Sequence, residues 1–187
     1  ISGASNKCER ILLPTPLDVI WDSLELLGSR RKGATVRYFV VDYKDAFWQI
    51  PSMPVEQKYT VTKVAGIFYV FLRLAQGSVG APTGWGRLSA LTSRLGQSSV
   101  HHYEARINTF VDDPILAIKG TPDAQKETFA VITGGWLALN LVLSFSKAKM
   151  GDEVTWCTAQ FRATDTAIYV QVKQDIVNMA RQEVQKF

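Results

Sequence analysis

Apolar and polar residues change period several times along this chain, and each change marks an element. Leu17, Ile20, Trp21 and Leu24 recur at helical spacing behind Thr15-Pro16, which predicts a helix capped at Thr15 and closed by Gly28. Arg30-Arg31-Lys32-Gly33 reads as a basic turn, and residues 35–41 as a β-rich run that ends directly on Asp42. Runs over 59–64 and 67–74 flank Ala65-Gly66 in a hairpin pattern. A glycine-rich stretch, 76–80, leads to Pro82 and a helix with Trp85, Leu88, Leu91 and Leu95 on one side. The polar residues 101–106 predict a loop, with His101 and His102 on its surface and no third ligand at metal spacing. Two apolar runs, 107–111 and 115–118, flank Asp112-Asp113-Pro114. Thr121-Pro122 opens another helix that ends near Gly134-Gly135 or at Leu139. Strands over 153–161 and 167–172 and an amphipathic helix from Gln174 complete the pattern. The fold class this order predicts is α+β: an antiparallel β-sheet with helices packed on one face.

Composition narrows the picture only modestly. A length of 187 residues, 47% apolar and 20% charged, suits a compact domain with a real core. Lys and Arg exceed Asp and Glu by 21 to 17, a net charge of +4, which permits binding to a polyanion without requiring it. Cys8 and Cys157 lie far apart with no Cys-x-x-Cys or Cys/His spacing, so a zinc site is not expected and a disulfide framework is excluded. Reduced thiols point to an intracellular setting, cytoplasm or nucleus. The longest uncharged apolar run, 129–143, is too short for a membrane span and is interrupted by two glycines. The opening Ile1-Ser2-Gly3-Ala4-Ser5 has neither a starting methionine nor a signal-peptide pattern, as expected of a piece of something longer.

The chemistry concentrates at two places. Asp112 and Asp113 are adjacent carboxylates between apolar runs, an arrangement that needs charge compensation unless both sit at an exposed hairpin tip. Asp42 ends another strand-like run, with Asp45 three residues on. Carboxylates offered by neighbouring strands are what two-metal phosphoryl transfer requires, with cations about 4 Å apart clamped by shared acidic ligands.

These residues also carry a resemblance. Val40-Val41-Asp42-Tyr43-Lys44-Asp45-Ala46-Phe47-Trp48-Gln49-Ile50-Pro51 resembles motif A of retroelement reverse transcriptases. Leu74-Ala75-Gln76-Gly77-Ser78-Val79-Gly80-Ala81-Pro82 is similar to motif B, and Phe110-Val111-Asp112-Asp113 to the aromatic-x-Asp-Asp box of motif C. Lys147-Ala148-Lys149-Met150-Gly151 looks like motif D, and Val154-Thr155-Trp156-Cys157 like motif E, the primer grip. The anchors at 42, 76, 112 and 147 fall 34, 36 and 35 residues apart, in the family's order.

The resemblance implies a right-hand polymerase palm over 35–161. Residues 1–34 would be a fingers remnant with its leading helix, and 162–187 a strand and helix leading toward a missing thumb. It implies RNA-directed DNA polymerase activity with two Mg²⁺ (or Mn²⁺) ions on Asp42, Asp112 and Asp113. Lys147, with Lys149 as rival, would lie near the leaving phosphate. Asp45, Phe47, Arg73, Gln76 and Gly77 would meet the deoxynucleoside triphosphate and template, Phe47 as the steric gate against a ribose 2′-hydroxyl. Trp156 and Cys157 would hold the primer end. Implied partners are an RNA/DNA primer-template, and other polypeptides that cover the missing fingers and thumb surfaces. Pro114 departs from the family's aliphatic residue, and it restrains Asp113 toward extended backbone. Two alternatives stand beside this: an RNA-dependent RNA polymerase, and a repurposed palm serving as a non-catalytic subunit of an assembly.

Overall fold

The structure is a computed structural model that describes residues 11–29 and 34–185. The basic turn at Arg30-Arg31-Lys32 and the first ten residues of the expected fingers remnant, Cys8 among them, lie outside the described residues.

Strand β1 (Thr35–Val40) is the centre of the molecule. It pairs antiparallel with β5 (Asp113–Gly120) on one side and with the short β6 (Lys149–Gly151) on the other, while β4 (Ala105–Phe110) pairs with β5 at the edge. The order is therefore β4-β5-β1-β6. Side chains alternate strictly across this sheet. Phe39, Leu116 and Ile118 point to one face, where α3 (Ala81–Ser98) and α4 (Pro122–Ala138) pack with Trp85, Ile132 and Trp136. Val36, Tyr38, Ile115 and Ala117 point to the other. That second face is covered by α1 (Pro16–Gly28) and by a sheet of β7 (Glu153–Trp156), β8 (Ala159–Ala163) and β9 (Ile168–Val172). The α+β class with antiparallel sheets is as the pattern predicts.

α1 begins as expected, with Thr15 and Asp18 in a reciprocal capping box. Its other end is held by a residue that composition alone does not flag. Lys119 is only 5% exposed, and its Nζ donates to the carbonyls of Leu26 (2.7 Å), Leu27 (3.2 Å) and Ser29 (2.5 Å). A buried ammonium thus satisfies the orphan carbonyls of a helix C-terminus, where the helix dipole favours positive charge.

Several expectations are corrected. The predicted strand over 153–161 is two strands, because Cys157 and Thr158 both take positive φ (44° and 67°) and fold the chain back. The loop over 101–106 is shorter than predicted, since β4 already starts at Ala105. The hairpin strands β2 (Val61–Val64) and β3 (Ile67–Val70) are trimmed at their outer ends. A one-turn helix, α2 (Pro54–Gln57), precedes them, and α5 (Gln174–Val184) is the last helix. The inward face of α3 is not its leucine stripe. Trp85, Ser89, Thr92 and Gly96 are buried, whereas Leu91 and Leu95 are exposed. Close approach explains this: a Cβ on Gly96 would meet Ile107 and Trp136 at 3.1 Å, so small residues let the helix sit down on the sheet. Thr92 then serves as a polar junction, its hydroxyl 3.1 Å from that of Tyr43 and its carbonyl accepting from Trp136 Nε1 (2.8 Å).

Candidate active site

The adjacent carboxylates sit on a two-residue hairpin whose turn is Val111-Asp112, one residue earlier than the sequence suggests, since Phe110 pairs with Asp113. Val111 takes φ 54°, a left-handed conformation that a β-branched residue adopts only under constraint. The constraint is visible. The Val111 carbonyl accepts from Trp85 Nε1 (2.7 Å), the Asp112 carbonyl from the Tyr43 N–H (2.9 Å), and the Asp113 carbonyl from Trp156 Nε1 (2.8 Å). Two buried indoles and one backbone amide thus grip three consecutive carbonyls. Pro114 is accommodated as the second residue of β5 opposite Thr109, and its carbonyl still accepts from Val41 (3.2 Å). The missing N–H therefore leaves the turn's anchorage intact.

Asp42 follows β1 and approaches from the neighbouring strand. Its carbonyl accepts from Ser144 N–H (2.7 Å), and its Oδ2 lies 2.8 Å from Lys147 Nζ. Asp42, Asp112, Asp113, Lys147, Trp156 and Cys157 line one cleft of about 450 Å³, together with Lys149 and Lys173. These six expected residues are brought together from four separate stretches of chain. Lys147 rather than Lys149 reaches Asp42; Lys149 is held in β6 opposite Val40. Trp156 forms part of the wall, but its ring is buried and its N–H is committed to Asp113, so its visible task is support.

Asp45, Phe47, Arg73, Gln76 and Gly77 do not line this cleft. Asp45 takes left-handed backbone (φ 51°) at the start of a 3₁₀ turn, Ala46–Gln49. Phe47 is half-buried against Trp85, ring centroids 6.4 Å apart. Arg73 donates to the Gln49 carbonyl (3.3 Å), which ties the segment before α3 to the end of that 3₁₀ turn. Gln76 and Gly77 are exposed, and Gly77 has φ 89°, a turn that glycine makes without strain.

Electrostatics mark the same spot. Burial pushes the Asp112 carboxyl above its ordinary range, and the nearby Asp42 charge adds to this while Lys147 opposes it. The Asp113 carboxyl is raised by burial first, then by Asp112 and Asp42. Lys147 is raised through its hydrogen bond and charge pairing with Asp42. Burial likewise drives the Cys157 thiol up to about 12, which makes it a poor nucleophile at neutral pH. The carboxylates therefore crowd negative charge that Lys147 offsets only in part. Among the described residues, no group of three or more carboxylate, imidazole or thiol side chains is gathered so that it could hold a metal ion. Donor chemistry nevertheless fits a hard divalent ion, because the available ligands are carboxylate oxygens and cation binding would relieve their repulsion.

Sequence reasoning missed Trp85, Tyr43 and Gln49 as supports. A tryptophan on an amphipathic helix reads as core, and nothing in its spacing reveals that its N–H reaches a turn carbonyl.

Solved structures share this architecture. The foamy viral protease-reverse transcriptase dRH in complex with ds DNA matches with a TM-score of 0.65 and 18% identity, over 85% of this chain and 26% of that one. The foamy viral protease-reverse transcriptase in complex with RNA/DNA hybrid gives 0.62 and 19%, over 85% and 20%. The native prototype foamy virus protein gives 0.59 and 16%, over 88% and 19%. The chain spans about a quarter or less of the length of these structures. The fold is reverse-transcriptase-like. No family model matches the chain, and no curated protein matches it in sequence. Among the described residues, no helix is long and apolar enough to cross a membrane.

Proposed function

We propose that this chain is the palm of an RNA-directed DNA polymerase that extends a primer 3′-hydroxyl with deoxynucleotides along an RNA or DNA template. One observation carries the reading: Asp42 and the adjacent Asp112 and Asp113, from two separate stretches of chain, line a single cleft in which Lys147 is paired with Asp42. Asp42, Asp112 and Asp113 would hold two Mg²⁺ or Mn²⁺ ions, whose chemistry is to activate the attacking hydroxyl and steady the leaving phosphate oxygen. Lys147 lies where its ammonium can turn to the leaving phosphate. Phe47, braced on Trp85, is the gate against a 2′-hydroxyl. Asp45, Gln76, Gly77 and Arg73 meet the incoming triphosphate and template. Trp156 and Cys157, at the end of β7, face the primer end. The reverse-transcriptase-like fold supports this assignment over other uses of clustered carboxylates.

The experiment is primer extension on a poly(rA) template with Mg²⁺ or Mn²⁺, comparing the chain with Asp112→Asn and Asp113→Asn. Extension that disappears in both variants is the expected result. Replacing Phe47 with Val should then admit ribonucleotides; no gain removes the gate assignment and favours an RNA polymerase. A second reading has its own support. The β2–β3 hairpin exposes Val61, Val64, Ile67, Phe68, Tyr69 and Val70, an apolar surface suited to burial in a larger assembly. Absence of both extension and metal binding assigns the chain to that non-catalytic role.

A further inference from the structure

The segment that carries Asp42 doubles back through the 3₁₀ turn, and the side chain of that turn's last residue returns to its beginning. Gln49 Nε2 donates to the carbonyls of Lys44 (2.6 Å) and Val142 (2.9 Å), and its Oε1 accepts from the Val142 N–H (2.9 Å). Both amide donors and the acceptor are thereby engaged. The same two stretches are joined by backbone bonds. Lys44 N–H donates to Val142 (2.9 Å), Tyr43 bridges Leu143, and Ser144 N–H donates to Asp42 (2.7 Å). Lys147 follows immediately, its N–H bonded to Ser144 (3.0 Å) and its Nζ on Asp42.

The reach of that ammonium depends on where the 139–144 loop is held. Lys147 cannot hold it, because its side chain is 70% exposed and an exposed ion pair contributes little to geometry. Buried Leu141 and Leu143 set the depth of the loop in the core. Gln49 reinforces the register that the backbone bonds give it, since it is the side chain that grips Lys44 and Val142 at once.

We infer that Gln49 is a positioning residue: its amide locks the 139–144 loop against the Asp42 segment so that Lys147 reaches Asp42. The consequence for phosphoryl transfer rests on the polymerase reading; the positioning itself does not. Trace acetylation of lysines, read by peptide mass spectrometry, measures the pairing without turnover. Asp42→Asn defines the unpaired Lys147 rate, and Lys149 in β6 is the internal reference. Gln49→Ala should raise Lys147 labelling about three-fold, to the Asp42→Asn level, as a freed ammonium regains solvent and rotamers. Gln49→Glu keeps the size but points acceptors at two carbonyls; it should do the same, and it carries the test if Gln49→Ala fails to fold. An unchanged Lys147 rate in a folded Gln49 variant overturns the inference. In primer extension, Gln49→Ala should lower kcat about ten-fold with KM for the nucleotide unchanged, and should add nothing in a Lys147→Ala background. A further loss in that background also counts against the role. A wild-type chain that extends no primer, while labelling responds as expected, overturns the polymerase reading and leaves Gln49 as a positioning residue.

Discussion

At the β2–β3 tip, Ala65 and Gly66 take φ of 49° and 83°; at the β4–β5 tip, Val111 takes 54°. Both hairpins use a two-residue connection, with left-handed backbone at both positions in the first and at Val111 alone in the second. Their surroundings differ completely. The Ala65-Gly66 turn projects into open space, and every residue of β3 is exposed. The Val111-Asp112 turn is gripped at three successive carbonyls by Trp85, Tyr43 and Trp156. One tip carries the favourable glycine and no chemistry; the other carries a strained valine and two carboxylates. Strain of this kind persists only where neighbours over-determine the backbone. A hairpin becomes a site through what holds it.

The harshest way to break the comparison is to remove the charge from the clamped turn. If the proposed polymerase reading holds, Asp112→Asn should reduce primer extension by roughly 10³-fold or more, because that reading makes Asp112 a metal ligand while the turn stays held. The same variant should be more stable than the parent at neutral pH. Burial raises the Asp112 carboxyl above its unfolded value, so the folded state binds its proton more tightly. Stability from this group is therefore present below the unfolded pKa, about 3.9, and is lost as pH rises through the folded value. Thermal melts should show Asp112→Asn ahead at pH 7 and level with the parent near pH 3. A variant that melts lower at pH 7 would mean that Asp112 is paired rather than crowded.

A milder break removes the grip and keeps the charge. Trp156→Phe and Trp85→Phe each leave one turn carbonyl without its donor, at a cost of about 1–2 kcal/mol in unfolding free energy. Activity should fall about ten-fold in each, since a displaced carboxylate loses alignment. Chemical denaturation and primer extension measure the two effects separately. A stability loss with full activity would reduce the indoles to ordinary core residues.

How much of this was legible beforehand follows from the same contrast. The Ala65-Gly66 hairpin could be read from sequence because glycine announces its backbone. The Val111-Asp112 turn could be placed only to within a residue, because valine denies the conformation it adopts. Cys157-Thr158 gave no turn signal either, and one predicted strand proved to be two. Asp42, Asp112, Asp113 and Lys147 could be singled out on a motif pattern, and the structure brings them to one cleft. Their supports were not found. Trp85 and Gln49 act through an indole N–H and an amide aimed at distant carbonyls, and such contacts have no period along the chain. The α3 face was misread for a related reason: leucines mark apolarity, but Ser89, Thr92 and Gly96 mark closeness.

The gentlest test replaces the left-handed residue in each turn with glycine. Ala65→Gly should stabilise the hairpin by up to about 1 kcal/mol, because it relieves an unfavourable φ and no contact is lost at an exposed tip. Val111→Gly relieves the same φ but removes a side chain packed on the core cluster around Trp85, and it frees the backbone in the unfolded chain. These contributions oppose one another, so its net change in unfolding free energy should stay within about 1 kcal/mol. Denaturant melts of both variants, run beside primer extension, separate turn chemistry from turn support. Ala65→Gly should leave extension untouched. Val111→Gly should lower it several-fold at nearly unchanged stability, because a turn that no longer needs its clamps holds its carboxylates less firmly. Equal behaviour of the two variants would mean that the clamps around Val111 do nothing that the hairpin does not already do alone.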